Sequence, residues 1–165
     1  MKKNKKLVFS GHSHTIYKNS IIAKKAEIKN TLKIKKHSFN SILLTNPMVT
    51  PSFMFKRNIK LRFNIYNGGF EDHYFLMQIS KAYGPIIELK LPLVFLHKNS
   101  FGESGLSSKM WFMQKGYFII YRQLFLDRQI NAPFFCFLII FSIIKYFRRL
   151  IIVFIRKIDL KIAAR

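Results

Sequence analysis

The sequence feature that most constrains the fold is an alternation of apolar and polar side chains that begins at residue 60. Leu61, Phe63 and Ile65 are apolar, and the residues between them are polar. This period of two is typical of a half-buried β-strand. Asparagine and glycine follow at residues 67–69, and both tolerate the positive φ angle of a tight turn. The pattern therefore predicts a strand that runs into a hairpin turn.

The residues after this turn predict the partner strand. Phe75, Met77 and Ile79 lie two residues apart, so on a strand they would share one face. A hairpin alone is only marginally stable in water, and we therefore expect this one to pack on other elements. Its predicted outer face carries four polar residues: Lys60, Arg62, Asn64 and Gln78.

A third strand is predicted over residues 86–96, where apolar residues alternate with Glu88 and Lys90. Pro92 cannot donate a hydrogen bond to a ladder, so this strand should be an edge strand or end there. Two prolines in residues 38–55 exclude a helix interior and predict an extended connection. The predicted fold class is α+β, with a small three-stranded antiparallel sheet and flanking helices.

The net charge indicates a polyanionic partner. The chain has 29 Lys and Arg against 7 Asp and Glu, a formal charge of +22 that opposes compaction by self-repulsion. Half of the residues are nevertheless hydrophobic, and 18 are Phe. That content exceeds what a disordered basic tail contains, so the chain should fold. Its 165 residues suffice for one compact domain with extensions.

Residues 1–36 form a lysine-rich arm in which Glu27 is the only acid. This composition predicts a nucleic-acid contact. A solvated segment or an organelle-targeting segment is the alternative, although transit peptides prefer Arg and Ser over Lys. Within the arm, residues 20–32 could form a short helix.

The sequence contains no arrangement that suggests catalysis or a metal site. His12 and His14 form a His-x-His pair, but no carboxylate or thiol follows at ligand spacing, so a solvated loop is the better interpretation. Cys136 lies in an apolar run and is read as a buried small hydrophobe. The acids are scattered, and a solvated turn explains the acid–imidazole cluster at residues 71–73. We predict a protein that is not an enzyme and has no metal and no cofactor.

The carboxy-terminal third predicts a helix that is both apolar and basic. Asn131 can cap its start, and Pro133 suits its first turn. Residues 133–144 are apolar, but spanning a bilayer takes about 20 such residues, so a buried or interfacial helix is expected. On a helix Lys145 and Arg149 share a stripe with Arg156, and Arg148 lies beside it. Such a helix could pack on neighbouring proteins while the stripe meets RNA, or it could lie on an anionic membrane.

Residues 97–109 predict a loop whose backbone can approach a phosphate closely, because it combines two glycines, small hydroxyl residues and basic ends. It is not a Walker loop, since no Gly-Lys-Ser/Thr sequence closes it.

Several short motifs, taken in order, resemble the S-nineteen family of small-subunit ribosomal proteins, especially its mitochondrial members. The residues that carry the resemblance are Pro51 and Phe53, then Ile65, Tyr66, Asn67 and Gly68, then Gln78, Ile79 and Ser80, then His97, Lys98, Phe101, Gly102 and Glu103, and finally Ser107, Ser108 and Lys109. They extend over about a third of the chain. Asn99 and Ser100 separate His97 and Lys98 from the Phe-Gly-Glu sequence that follows them in this family.

The resemblance implies a structural constituent of the small subunit of a mitochondrial ribosome. It would bind rRNA in the subunit head, beside the protein-thirteen family, and would act on no small-molecule substrate. Residues 1–50 would be a basic arm and linker, residues 51–109 the rRNA-binding core, and residues 110–165 a helical extension. The predicted RNA-binding residues are Lys56, Arg57, Lys60, Arg62, Asn67, Gly68, His97, Lys98, Gly102, Ser108 and Lys109.

A second hypothesis is a small basic membrane-associated subunit of a mitochondrial respiratory complex, held by residues 133–155. Lys145, Arg148 and Arg149 disfavour a membrane location because charges within such a segment are costly.

Overall fold

A computed structural model describes four stretches of the chain: residues 7–16, 33–63, 69–97 and 108–163. The chain divides into two compact units. Unit 1 comprises Met1–Asn64 and Glu71–Lys98, and unit 2 comprises Ile65–Phe70 and Asn99–Arg165. The predicted hairpin turn and most of the predicted phosphate loop lie outside the described residues, as does the helix predicted within the arm.

Unit 1 contains a four-stranded mixed sheet. Its strands are β1 (Phe9–Ile16), β2 (Ile34–His37), β3 (Met54–Phe55) and β4 (Ile86–Leu96), in the spatial order β2-β4-β1-β3. β1 and β4 are parallel, and the other two pairs are antiparallel. The α+β class is confirmed, but the prediction of three antiparallel strands is wrong. The arm contributes β1 and the first three residues of β2, and Phe9 and His37 in these strands are buried despite the surrounding lysines.

β4 is a central strand, although Pro92 had predicted an edge. Pro92 lies opposite Ser13 of β1, and the register between β1 and β4 shifts on both sides of Ser13. Such an irregularity tolerates a residue that cannot donate to the ladder. The proline therefore coincides with a break in the pairing and does not end the strand.

The predicted hairpin is not formed. Residues 60–63 have no regular secondary structure, and the residues predicted as the second strand lie in helix α2 (Glu71–Tyr83). Spacings of two residues occur in a helix as well when most of its surface is buried, and Phe75, Leu76 and Met77 are all buried here. Glu71 begins the helix, at the end that favours negative charge.

Residues 38–55 contain a helix in place of the predicted extended connection. Helix α1 (Phe39–Leu44) begins after Ser38, whose hydroxyl accepts from the main-chain N–H of Ser41 at 3.4 Å. The prolines lie beyond the end of α1, and Pro51 lies in a turn of 3₁₀ helix at Thr50–Ser52. Ile42 and Leu43 of α1 are buried.

Buried His73 joins α2 to α1. Its Nε2 donates to the carbonyl of Ile42 at 2.6 Å. The prediction that residues 71–73 form a solvated turn is therefore wrong, and His73 has a structural role.

Unit 2 contains a helical hairpin of α3 (Met110–Leu126) and α4 (Ala132–Ala163). The helices run antiparallel, since Phe125 stacks on Phe135 while Gln114 lies beside Ser142. The core between them consists of Tyr117, Ile120, Tyr121, Leu124 and Leu138.

The start of α4 agrees with the sequence-based prediction. The side chain of Asn131 accepts from the main-chain N–H of Phe134 at 3.0 Å, and Pro133 lies in the first turn. Cys136 is exposed, so the prediction of a buried cysteine is wrong. It lies in an apolar run, but on a side of the helix that α3 does not cover.

Candidate nucleic-acid interface

The segment that follows β3 presents four of the predicted RNA-binding residues. Arg57, Lys60 and Arg62 are exposed, and Lys56 is partly exposed. The backbone of this segment is fixed, because the Lys56 N–H donates to the carbonyl of Val8 at 3.0 Å. The cations therefore extend from a segment attached to the sheet.

Buried Ile59 holds the middle of the same segment. Its side chain is buried, and its main-chain N–H donates to the Lys56 carbonyl at 3.3 Å. The guanidinium of Arg62 donates to the carbonyls of Ile59 and Leu61. We refer to residues 56–62 as the basic segment.

Two aromatic residues next to the basic segment pack on the core of unit 1. The ring centroids of Phe53 and Phe55 lie 5.2 Å and 6.2 Å from that of buried Phe9. Phe55 also contacts Phe75 of α2, at 5.5 Å. Both side chains therefore pack against the aromatic core of unit 1.

A second set of cations lies at the opposite edge of the sheet. Lys33, Lys35 and Lys36 are exposed and belong to β2 or immediately precede it. Because β2 and β3 are the two edge strands, lysines and arginines flank the sheet on both sides. The sequence had indicated the positive charge of the arm but not that an edge strand carries it.

One buried carboxylate organises the strands between these edges. Glu88 of β4 is 2% exposed and accepts from the Ser13 hydroxyl at 2.9 Å and from Nε2 of His37 at 2.8 Å. Lys90 donates to it at 2.8 Å. Glu88 thereby joins three strands, β1, β2 and β4.

The hydrogen bonds to Glu88 keep its carboxylate ionised by lowering its pKa. Burial by itself raises the pKa of Glu88, but the donors Lys90, His37 and Ser13 together outweigh burial and hold the pKa below its ordinary value. Glu88 is thus an ionised structural residue. The alternation in the sequence placed Glu88 on the polar side of the strand and did not indicate that it is buried.

Arg57 and Lys60 of the basic segment form no ion pair with an acid in the described part of unit 1. In residues 7–16, 33–63 and 69–97, both ion pairs are made by Glu88, with His37 and Lys90. Arg57 and Lys60 have no described carboxylate within ion-pair distance. Both are therefore exposed cations that no described acid neutralises.

The structure describes only some of the other predicted RNA-binding residues. His97 is exposed just after β4 in unit 1, whereas Ser108 and Lys109 are exposed just before α3 in unit 2. Four lie outside the described residues: Asn67, Gly68, Lys98 and Gly102. The predicted outer face of the hairpin does not exist, since Gln78 lies in α2.

The basic stripe predicted on α4 is turned toward α3. Arg149 donates to the Tyr117 hydroxyl at 3.2 Å. The charged groups of Lys145 and Arg149 each lie 5.2 Å from the centre of the Tyr117 ring, where cation–π attraction operates. Burial, with the neighbouring charge of Arg149, lowers the pKa of Lys145 to about 8. Arg149 therefore joins α4 to α3, whereas burial makes the charge of Lys145 costly. Arg148 and Lys157 are the exposed cations beside the stripe.

Over the stretches that the structure describes, no helix combines the length and the apolar character that a bilayer crossing needs. Within those same stretches, His, Cys, Asp and Glu form no group that could hold a metal ion.

Comparison with models of protein families found no match, and neither did comparison with curated proteins or with solved structures.

Proposed function

We propose that this chain is a structural RNA-binding protein, and more particularly a constituent of the small subunit of a mitochondrial ribosome. The observation that carries the RNA-binding proposal is the exposed basic segment, which has ordered backbone contacts but no described carboxylate partners for Arg57 and Lys60. A net charge of +22 also makes a polyanion such as RNA the natural partner of the chain.

Phosphate contacts supply the mechanism. Each Lys or Arg that neutralises an RNA phosphate releases a condensed counterion, which makes binding strongly dependent on salt. Structured RNA is recognised largely through its shape, its phosphates and its 2′-hydroxyl groups, so base-specific contacts are not required. The two basic edges of the sheet suit such recognition because they present charge without a catalytic group.

The ribosomal part of the proposal rests on the order of the S-nineteen-like motifs. It implies small-subunit rRNA as the ligand and neighbouring small-subunit proteins, including the protein-thirteen family, as contacts. The second strand of the motif is helical here, so the proposed contact uses the basic segment and β2 in place of a hairpin face.

RNA binding by the basic segment can be tested with neutral substitutions. We expect Arg57→Gln with Lys60→Gln to reduce the slope of log affinity against log salt by about 1.4–1.8, because two phosphate contacts are lost. The measurement is a salt titration with a labelled RNA hairpin. Lys115→Gln with Arg122→Gln is the matched control, since both residues are exposed on α3 and the charge change is equal.

An unchanged slope in the first variant would remove the basic segment from the proposal. An equal loss in the control would show that net charge, and not this segment, governs binding.

The ribosomal assignment is tested by sedimentation of the native protein in a sucrose gradient after detergent treatment. Co-migration with small-subunit rRNA is expected. Migration with lipid-embedded complexes, and never with rRNA, would contradict it.

The second candidate function is a basic membrane-associated subunit of a mitochondrial respiratory complex. The exposed Phe and Ile side chains of α4, such as Phe154 and Ile144, are the observation in its favour. Carbonate extraction followed by detergent separates the two candidates, since a respiratory subunit would remain with its membrane complex and would not sediment with ribosomes.

A further inference from the structure

Helix α4 carries a regular row of large apolar side chains that α3 does not cover. The row consists of Phe137, Ile140, Ile144, Phe147, Ile151, Phe154 and Ile158, which are 41% to 65% exposed. Its spacing alternates between three and four residues without a break. We call this row the α4 seam.

The α4 seam lies away from the contacts that hold the helical hairpin together. Leu138 and Ser142 are buried against α3, and Arg149 reaches Tyr117. On a helix these residues lie on the side roughly opposite Ile144 and Ile151. The hairpin therefore satisfies one face of α4 and leaves the seam face without a described neighbour.

The period of the seam favours a helix as its partner. Alternating spacings of three and four average 3.5 residues, the repeat that keeps apolar side chains facing a supercoiled neighbour over many turns. A flat lipid surface selects no such repeat, since a straight helix follows 3.6 residues per turn. From Phe137 to Ile158 the seam extends over about 32 Å, enough for three heptads.

The charges beside the α4 seam indicate that the partner helix is acidic. Residues 132–158 contain no acid, and the exposed cations Arg148 and Lys157 lie at positions that flank the seam. In a coiled coil the flanking positions form ion pairs that select the partner. A second copy of this chain would bring no acid to these positions and would add another charge of +22. An acidic helix complements both the seam and its flanks.

We propose that the α4 seam docks an amphipathic helix of another protein, with apolar residues in heptad spacing and Glu or Asp beside them. This inference does not depend on RNA binding, because it concerns a different unit and a different surface. It assigns the exposed apolar face of α4 to protein–protein contact.

The probe is a designed helix with Ile and Leu at the heptad positions and Glu at the flanking positions, fused to a soluble carrier. It is co-expressed with the full chain, and the complex is purified without RNA. A second probe has Lys in place of every Glu. We expect the acidic probe to form an equimolar complex with the full chain and the basic probe to bind at least about tenfold more weakly, because the flanking charges then repel.

Matched variants locate the contact. Ile144→Glu with Ile151→Glu should weaken binding by at least about 100-fold, since each Ile removed from an apolar contact contributes a factor of about ten or more. Ile119→Glu with Leu126→Glu is the control, because both residues are exposed on α3 and the charge change is the same. We expect the control to bind the acidic probe as the unchanged chain does.

Three results would overturn the proposal. The first is equal binding of the acidic and basic probes. The second is self-association of the chain through the seam, with no complex formed with either probe. The third is binding of the chain to anionic phospholipid vesicles, lost in the Ile144→Glu, Ile151→Glu variant, when neither probe binds. Insolubility of the full chain with both probes would also contradict it, since the acidic probe is expected to cover the apolar face.

Discussion

Replacing Glu88 with glutamine tests whether this carboxylate holds the sheet together. Gln keeps the shape of the side chain but removes the charge that three donors share. Its amide nitrogen would also face at least one of these donors. We therefore expect Glu88→Gln to lower the free energy of unfolding at neutral pH.

The three donors contribute unequally. The His37 side chain is 6% exposed, and a hydrogen bond to a buried charge contributes about 1.5–3 kcal/mol. The Ser13 bond adds about 1 kcal/mol. Lys90 is 42% exposed, so its ion pair is screened by water and adds about 0–1 kcal/mol. The expected loss is about 3 kcal/mol, most of it through His37.

The effect depends on pH in a defined direction. The pKa of Glu88 is lower in the folded state than its ordinary value of 4.5, so its stabilising contribution is complete above that value. The contribution is lost as the pH falls below 4.5 and through the lowered pKa. The unchanged protein and Glu88→Gln should therefore differ fully at pH 7 and converge in acid.

The assay is denaturant unfolding followed by circular dichroism, in high salt and at a series of pH values. Glu71→Gln is the control, because Glu71 is partly exposed and begins α2. Its effect should stay below about 1 kcal/mol, as for other charges near a helix start. If Glu88→Gln cost no more than Glu71→Gln at pH 7, the assigned role of the buried carboxylate would be refuted.

Three further predictions concern unit 2, and denaturant unfolding measures each of them. Asn131→Ala should destabilise by about 1 kcal/mol through loss of the helix cap, whereas Asn131→Asp should not. Gly116→Ala should destabilise by about 1–3 kcal/mol, because a Cβ at this position would lie 2.2 Å from the Phe70 ring; Lys115→Ala, at an exposed neighbour, should be nearly neutral. The pKa of Lys145 is about 8 in the folded state and 10.5 ordinarily, so between these pH values the unfolded state binds more protons than the folded state. The free energy of unfolding should therefore rise from pH 8 to pH 9.5, and Lys145→Met should abolish this rise.

Features that depend on neighbouring residues were predicted correctly from the sequence. The strand at Ile86–Leu96 follows from its alternation, and the start of α4 follows from Asn131 and Pro133. The exposure of Arg57 and Lys60 likewise follows from the cost of burying an unpaired charge. Each of these depends on local chemistry, which a sequence displays directly.

The predicted hairpin shows where local patterns fail. Phe75, Met77 and Ile79 have the two-residue spacing of a strand face. Leu76 and Ser80, which would lie on the opposite face of a strand, are buried as well. When a segment is buried on most sides, the spacing of its apolar residues does not distinguish a strand from a helix. Here the segment is a helix that packs on α1. The same limit applies to Lys145 and Arg149, whose position against Tyr117 depends on a helix some thirty residues earlier in the chain.

By itself, the sequence determined the α+β class, the excess of positive charge, the strand at Ile86–Leu96 and the beginning of α4. Tertiary structure decided that the lysine-rich arm supplies β1 and most of β2, and that Glu88 is buried among donors from three strands. It also decided that α4 turns Lys145 and Arg149 toward α3 and an apolar heptad row outward. The physical reason is the range of the interactions: capping, turn geometry and alternation act over a few residues. The partners of a buried charge or a helix face come from distant parts of the chain, as His37 does for Glu88, 51 residues away.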